Sequence, residues 1–193
     1  MKTVGCSFLN RGVDYHSMDG SDLKFEDGSF DLVYSIATLE HVSDPYKVLS
    51  EILRVTRVGG FAYVQAGPLY CSPFGHHMFA YFQDYPWIHL RKSKEEIIAY
   101  AKSMGIDVRI KQDFGISCEE YVHNMINAEH VNGLFLGEYR LEEFKRRPDL
   151  EVIKYNISYE GEALLNNKIL SEIKHIKRNE LVEHGFEILV KKK

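Results

Sequence analysis

Between Phe30 and Pro68 the chain reads FDLVYSIATLEHVSDPYKVLSEILRVTRVGGFAYVQAGP, and this stretch leaves room for few folds. Phe30-Asp31-Leu32-Val33-Tyr34 is a short apolar run rich in strand formers, which reads as a strand buried on both faces. Ser43 or Asp44 is a suitable N-cap for a following helix, and Pro45 suits its first turn, where no amide donor is needed. Val48, Leu49, Ile52, Leu53 and Val55 then recur at helical spacing, so one face is apolar. Gly59-Gly60 is expected to stop the helix, and Phe61 to Ala66 to form a second strand that Gly67-Pro68 breaks. A strand-helix-strand crossover between parallel strands is right-handed in nearly all cases. Its ligand crevice lies at the carboxyl ends of the strands, here near Ser35 to His41 and near Gly67.

The remaining totals narrow the class. One domain spanning 1–193 is expected from the length, and 45 % hydrophobic and 12 % aromatic content exclude general disorder. Lys and Arg number 24 against 28 acids, a net charge of −4, so nucleic acid is not the expected partner. Cys6, Cys71 and Cys118 are odd in number and widely spaced, which points to reduced thiols rather than a disulfide framework or a zinc knuckle. No stretch approaches the roughly 20 apolar residues of a membrane span, and no signal-peptide pattern opens the chain. A cytoplasmic protein without membrane partners is the expectation.

Phe25-Glu26-Asp27-Gly28-Ser29-Phe30-Asp31-Leu32-Val33, then Leu39-Glu40-His41-Val42, Asp44-Pro45 and Glu51-Ile52-Leu53-Arg54-Val55 through Gly59-Gly60 resemble the middle of a class I S-adenosylmethionine-dependent methyltransferase of the small-molecule, type 11-like kind. The resemblance is dense over residues 13 to 68. It implies an α/β fold with a Rossmann-like, mostly parallel sheet whose last strand is antiparallel, and S-adenosyl-L-methionine as cofactor. Members of the family normally open with a strand, a glycine-rich turn, a helix and a second strand ending in an acid for the ribose. Such a unit needs roughly 30 residues, and only 12 precede Val13, so the resemblance implies a shortened N-terminal end that lacks most of the glycine-rich motif. Val4-Gly5-Cys6-Ser7 resembles the start of that turn, which makes Gly5 a cofactor candidate.

Gly12 to Asp19 reads as a strand followed by a turn at Asp19-Gly20-Ser21-Asp22. By the resemblance Asp19, with Asp22 as the neighbouring alternative, takes the place of the acid that receives the adenine amino group, and Gly20 the backbone beside the ring. Another register makes Gly12-Val13-Asp14 the ribose-binding strand end instead. The resemblance also sets Ser35 and Ile36 beside the methionine half of the cofactor. Glu40 and His41 follow, where a carboxylate and an imidazole can orient cofactor or act as a base; the plainer reading is a capping and packing pair.

Beyond Pro68 the segment 69–147 reads as a helical and loop lid inserted beside the crevice, where substrate is met. Tyr70, His76, His77, Trp87 and His89 are the substrate-binding candidates, and His76 and His77, with His41, are the candidate catalytic bases. Trp87 reads more readily as a packing anchor than as a stacking platform. No metal site is expected, because adjacent histidines cannot easily face one ion from a strand and no HExxH helix accompanies them. Ser93 and Glu96 form a capping-box pattern ahead of a helix that Gly105 ends, and Glu119 to Ala128 reads as helical. Leu150 to Ile157 reads as a strand, Glu162 to Arg178 as a helix and Gly185 to Val190 as a last strand, with Lys191-Lys192-Lys193 a solvated tail.

These readings converge on transfer of a methyl group to a small-molecule acceptor. The alternative is a methyltransferase-like binding or regulatory module without catalysis, in which a partner chain or a second copy, as a homodimer, covers the shortened sheet edge.

Overall fold

The computed structural model describes residues 12–193. Strand β1 (Phe30–Ile36) leads through a 3-10 turn at Leu39–His41 into helix α1 (Pro45–Val55), and β2 (Thr56–Ala66) returns parallel to β1, with Tyr34 opposite Tyr63. The carboxylate of Asp44 accepts from Lys47 N at 2.9 Å, which settles the N-cap between the two candidates. The predicted stripe of Val48, Leu49, Ile52, Leu53 and Val55 is buried.

Two glycines have a different role from the one expected. Helix α1 ends at Val55, where Thr56 turns extended and its hydroxyl donates to Ile52 O at 2.6 Å. Gly59 and Gly60 lie inside β2, at an irregularity in its register with β1. A Cβ on Gly60 would come within 2.8 Å of Asp31 O, so the residue is glycine because two backbones meet there.

The sheet is completed by β3 (Leu150–Tyr159) and β4 (Glu183–Lys192) in the order β1-β2-β4-β3. Strand β4 runs antiparallel to both neighbours, with Val64 opposite Ile188 and Ile157 opposite Phe186. Three strands therefore point one way and the last strand the other, the α/β arrangement expected. The predicted helix over Glu162 to Arg178 is broken into a 3-10 turn at Glu162–Leu164 and α8 (Asn167–Glu172), because Asn166 caps a new start by accepting from Ile169 N.

No strand forms between Gly12 and Asp19, where one was expected, although the turn that follows is made, with Asp22 N donating to Asp19 O. A strand needs a neighbour, and among the described residues β1 pairs with β2 alone. The sheet is accordingly one-sided. Val33, Ala62, Val64, Ala66, Phe186, Ile188 and Val190 pack with α1 in one core, while Leu32, Tyr34 and Ile36 on the opposite face are 56 %, 69 % and 55 % exposed.

Between β2 and β3 the segment 69–147 carries α2 (Phe79–Phe82), α3 (Ile88–Arg91), α4 (Lys94–Ser103), α5 (Ile106–Phe114), α6 (Cys118–Met125) and α7 (Leu141–Lys145). Helices α4, α5 and α6 close a core of their own around Ile97, Ala101, Ile110 and Val122. The capping box of Ser93 and Glu96 is present. Helix α6 ends at Met125, three residues short of the expected Ala128. Helix α5 follows Gly105 in a stretch for which the sequence sets no expectation. No helix among the described residues is long and apolar enough to cross a membrane.

The C-terminal lysines are not all solvated. Lys192 Nζ reaches the end of α1 and donates to Leu53 O at 2.8 Å and Thr56 O at 2.8 Å, placing a cation where a helix leaves carbonyls unpaired. Lys192→Met, which keeps the stem but removes the charge, is expected to lower the unfolding free energy by about 1–2 kcal/mol. Urea denaturation at matched pH checks this.

Candidate functional site

The site is built at the carboxyl ends of β1 and β2. Ala37 turns left-handed there (φ 50°) while its N–H donates to Gln65 O at 3.1 Å, so the chain leaves β1 still tied to β2. The 3-10 turn that follows is held from far along the sequence. Asn132 Nδ2 donates to Leu39 O at 2.8 Å and to Val42 O at 2.9 Å, and Asn132 N donates to Glu40 O at 2.9 Å. Tyr139, itself fully buried, donates its hydroxyl to Asn132 Oδ1 at 3.3 Å.

Inside this clamp Glu40 is fully buried, and neither carboxylate oxygen has a hydrogen-bond partner. Burial raises its pKa; the backbone amides of Glu40 itself and of Gly67 pull the other way without closing a bond of good geometry. Next to it three imidazoles gather. His41 lies 5.0 Å from His77 and 5.1 Å from His130 between ring centroids, and His41 Nδ1 meets His130 O. His77 is left-handed (φ 55°), and its Nε2 donates to Pro68 O at 3.0 Å. Burial pushes its pKa down to about 4.

A second pair sits deeper. Gly75 brings the loop after β2 so close to itself that a Cβ would fall 2.3 Å from Tyr70 O, and the next residue, His76, is 1 % exposed. His76 Nδ1 accepts from Met78 N at 2.9 Å, and His89 Nε2 donates to Tyr70 O at 2.6 Å. Burial lowers the pKa of His76 to about 2 and that of His89 to about 4, so both rings are neutral near pH 7. With Tyr70, Met125, Ile126 and Val131 they line a cavity of about 130 Å³.

The structure thus gathers His41 with His77, and Tyr70 with His76 and His89, in and beside the loop after β2, and leaves other candidates apart. Ser35 is half-buried on the α1 side of β1, but Ile36 faces the open side of the sheet. Trp87, expected among the substrate residues, is fully buried against Ile169, Ile173 and Leu181. Its Nε1 donates to Cys71 O and Leu181 O, so no ring face is left for a substrate. Asp19 accepts from Ser21 N at 2.8 Å, which holds its carboxyl below the usual range, and Gly20 lies beside Val48 of α1. Neither lines the histidine cavity. Gly5 and Cys6 fall outside the described residues. Among the described residues no three His, Cys, Asp or Glu side chains are placed to hold a metal ion.

Asn132 and His130 were missed by the reading of the sequence. Asn132-Gly133 signals only a turn, and nothing local says that it turns against a segment some 90 residues earlier.

The family described as "Methyltransferase domain" matches residues 2–64, the crossover and what precedes it. Over those residues, about a third of its length, the chain is similar to that family. An uncharacterized methyltransferase of Mycobacterium sp. (strain KMS) is 44 % identical over 66 residues, which are 34 % of this chain and 26 % of that protein. One from Mycobacterium tuberculosis (strain ATCC 25618 / H37Rv) is 35 % identical over 77 residues, 40 % of this chain and 30 % of that protein. The chain spans about a quarter to a third of the length of these curated relatives. Among solved structures, a putative methyltransferase from Bacillus halodurans C-125 is similar at 12 % identity and a TM-score of 0.41, over 92 % of this chain and 76 % of that one. The family match ends at residue 64, within β2, and the residues that line the histidine cavity, from Tyr70 onward, lie beyond it.

The neutral histidines give the fold a pH dependence. An unfolded imidazole takes up a proton near pH 6.5, which His76, His77 and His89 in the fold refuse until far lower pH, so their contribution is complete above about 6.5 and is lost as pH falls toward about 4. Each group removes about 1.4 kcal/mol per pH unit in that window. Glu40, whose pKa is raised, acts in the opposite sense and offsets part of the fall. Between pH 7 and pH 5 the unfolding free energy is expected to drop by about 3–5 kcal/mol, and His89→Phe to remove about a third to a half of that drop. Urea titrations at the two pH values measure both.

Proposed function

We propose that the chain works in methyl transfer from S-adenosylmethionine to a small-molecule acceptor, with the acceptor met at the histidine-lined cavity above the rim of β1 and β2. The observation that carries this reading is the position of that cavity: in an open α/β sheet ligands bind beyond the carboxyl ends of the strands, and the crossover that sets this rim is the segment with the methyltransferase match. A fold alone does not assign chemistry, and the site supplies the rest.

The residues at the rim fit the amino-acid end of such a cofactor. Glu40 has two orphaned acceptor oxygens, and the left-handed Ala37 exposes backbone where β1 ends. The resemblance gives Asp19 to the adenine, on the outer flank of α1. The cofactor supplies an activated methyl group; what the protein adds is alignment and, for an alcohol or phenol acceptor, a place for a proton. His41 and His77 are the candidates for the latter, because their rings lie 5.0 Å apart beside the turn after β1 and the loop after β2. Isothermal titration of the intact chain with S-adenosylhomocysteine should give saturable binding, and Asp19→Ala should weaken it five- to tenfold. No heat from the well-folded protein would remove the transferase reading.

A second reading is favoured by the exposed face of β1. Phe30 to Ile36 alternates symmetrically about Val33, so an antiparallel pairing of two copies sets Leu32 against Tyr34 and Phe30 against Ile36, with Asp31 against Ser35 and no like charges opposed. Two copies joined in this way would form one continuous sheet, a binding module in which the open face is shared. Sedimentation equilibrium should then show a dimer that Val33→Pro converts to a monomer, because proline removes the ladder donor. A monomer at high micromolar concentration rules this reading out.

A further inference from the structure

The hydrogen bonds around the deep histidine pair fix which nitrogen carries the proton in each ring. His76 Nδ1 accepts from a backbone N–H, so in the neutral ring the proton is on Nε2. His89 Nε2 faces the carbonyl of Tyr70, so it is the donor and Nδ1 keeps the lone pair. Those two remaining nitrogens, one donor and one acceptor, have no partner in the protein although both residues are more than nine-tenths buried. The ring centroids are 5.3 Å apart, and both rings line the same cavity.

We propose that this cavity binds a small neutral molecule through a hydroxyl group, a phenol or short alcohol, whose oxygen accepts from His76 Nε2 and donates to His89 Nδ1. Among the groups an organic molecule can carry, a hydroxyl is the smallest that supplies both halves of that pair. Most of the remaining lining suits its carbon body: Met125, Ile126, Ala128 and Val131 are apolar, Tyr70 and Asn127 are polar but uncharged, and no charged side chain lines the cavity. A carboxylate would set its charge against the lone pair of His89, and an ammonium against the N–H of His76, in a place where neither is compensated. The volume of about 130 Å³ is close to that of a cavity that accepts benzene, and several times the roughly 30 Å³ that one water occupies in the liquid. As an account of the methyl acceptor this rests on the transferase reading; as a binding site it stands without it.

The test uses the full chain with 13C-methyl methionine, following the Met125 methyl signal, assigned by Met125→Leu, during titrations at pH 7 with phenol, benzene, benzoate and benzylammonium. Phenol is expected to shift the signal saturably and to bind about tenfold more tightly than benzene, with the two ions at least tenfold weaker than phenol. His89→Phe and His76→Phe should each reduce the preference of phenol over benzene to about twofold or less. If either variant fails to fold, as judged by its thermal melt, the ligand series on the intact chain decides alone. Equal binding of phenol and benzene, stronger binding of either ion, or a silent Met125 methyl at saturating phenol would each overturn the proposal. The S-adenosylhomocysteine titration reports separately: binding there with no phenol response defeats the hydroxyl site only, and a phenol response without cofactor heat defeats the transferase reading only.

Discussion

The burial of α1 against a single face of the sheet is the contact from which the rest of the structure follows. Val48, Leu49, Ile52 and Leu53 share one core with Val33, Ala62, Val64 and Ile188, so this helix fixes the spacing of β1 and β2 and receives β4 on the same side. Truncating one of these leucines to alanine typically costs 2–5 kcal/mol in such a core, a large part of the stability of a domain this size. Because the crossover is held so firmly, the turn between β1 and α1 can carry strain, with Ala37 left-handed and the carboxyl of Glu40 buried without a partner.

The same crossover was the most legible part of the sequence. Its signals are local: an N-cap, a proline in the first turn and an apolar stripe at helical spacing all act within a few residues. Where the reading failed, the deciding partner was distant. Gly59-Gly60 looks like a helix stop until the backbone of Asp31 is seen to need the room at Gly60. The stretch before Asp19 alternates like a strand but has no described neighbour on which to pair, and Lys192 looks like a solvated tail although the carbonyls it meets lie some 140 residues earlier. The long helix expected after β3 shows the opposite case, a local cap at Asn166 that periodicity alone overlooked.

The candidate site was legible in its ingredients and not in its arrangement. The histidines after β2 were visible as a group, yet only the backbone shows that they divide into an outer trio with His41 and His130 and an inner pair at His76 and His89. Asn132 joins the two regions by clamping the turn that carries Glu40, while its neighbours line the cavity. The protonation pattern of the inner pair is set by Met78 N and Tyr70 O, main-chain groups that leave no mark on composition. Trp87, favoured by the sequence as a packing anchor, is one, but the two main-chain oxygens that take its N–H, on Cys71 and Leu181, are visible only in the fold.

The reversed direction of β4 has a practical consequence. Phe186 stands opposite Ala66 at the rim, whereas Lys191 stands opposite Phe61 and Lys193 N–H bonds to Asp149 O, so the last residues emerge at the far pole of the molecule. A fluorophore, an affinity handle or a surface tether joined after Lys193 would leave the mouth of the crevice free to meet solution. The protein can be immobilised by that end with its histidine pocket facing the flow.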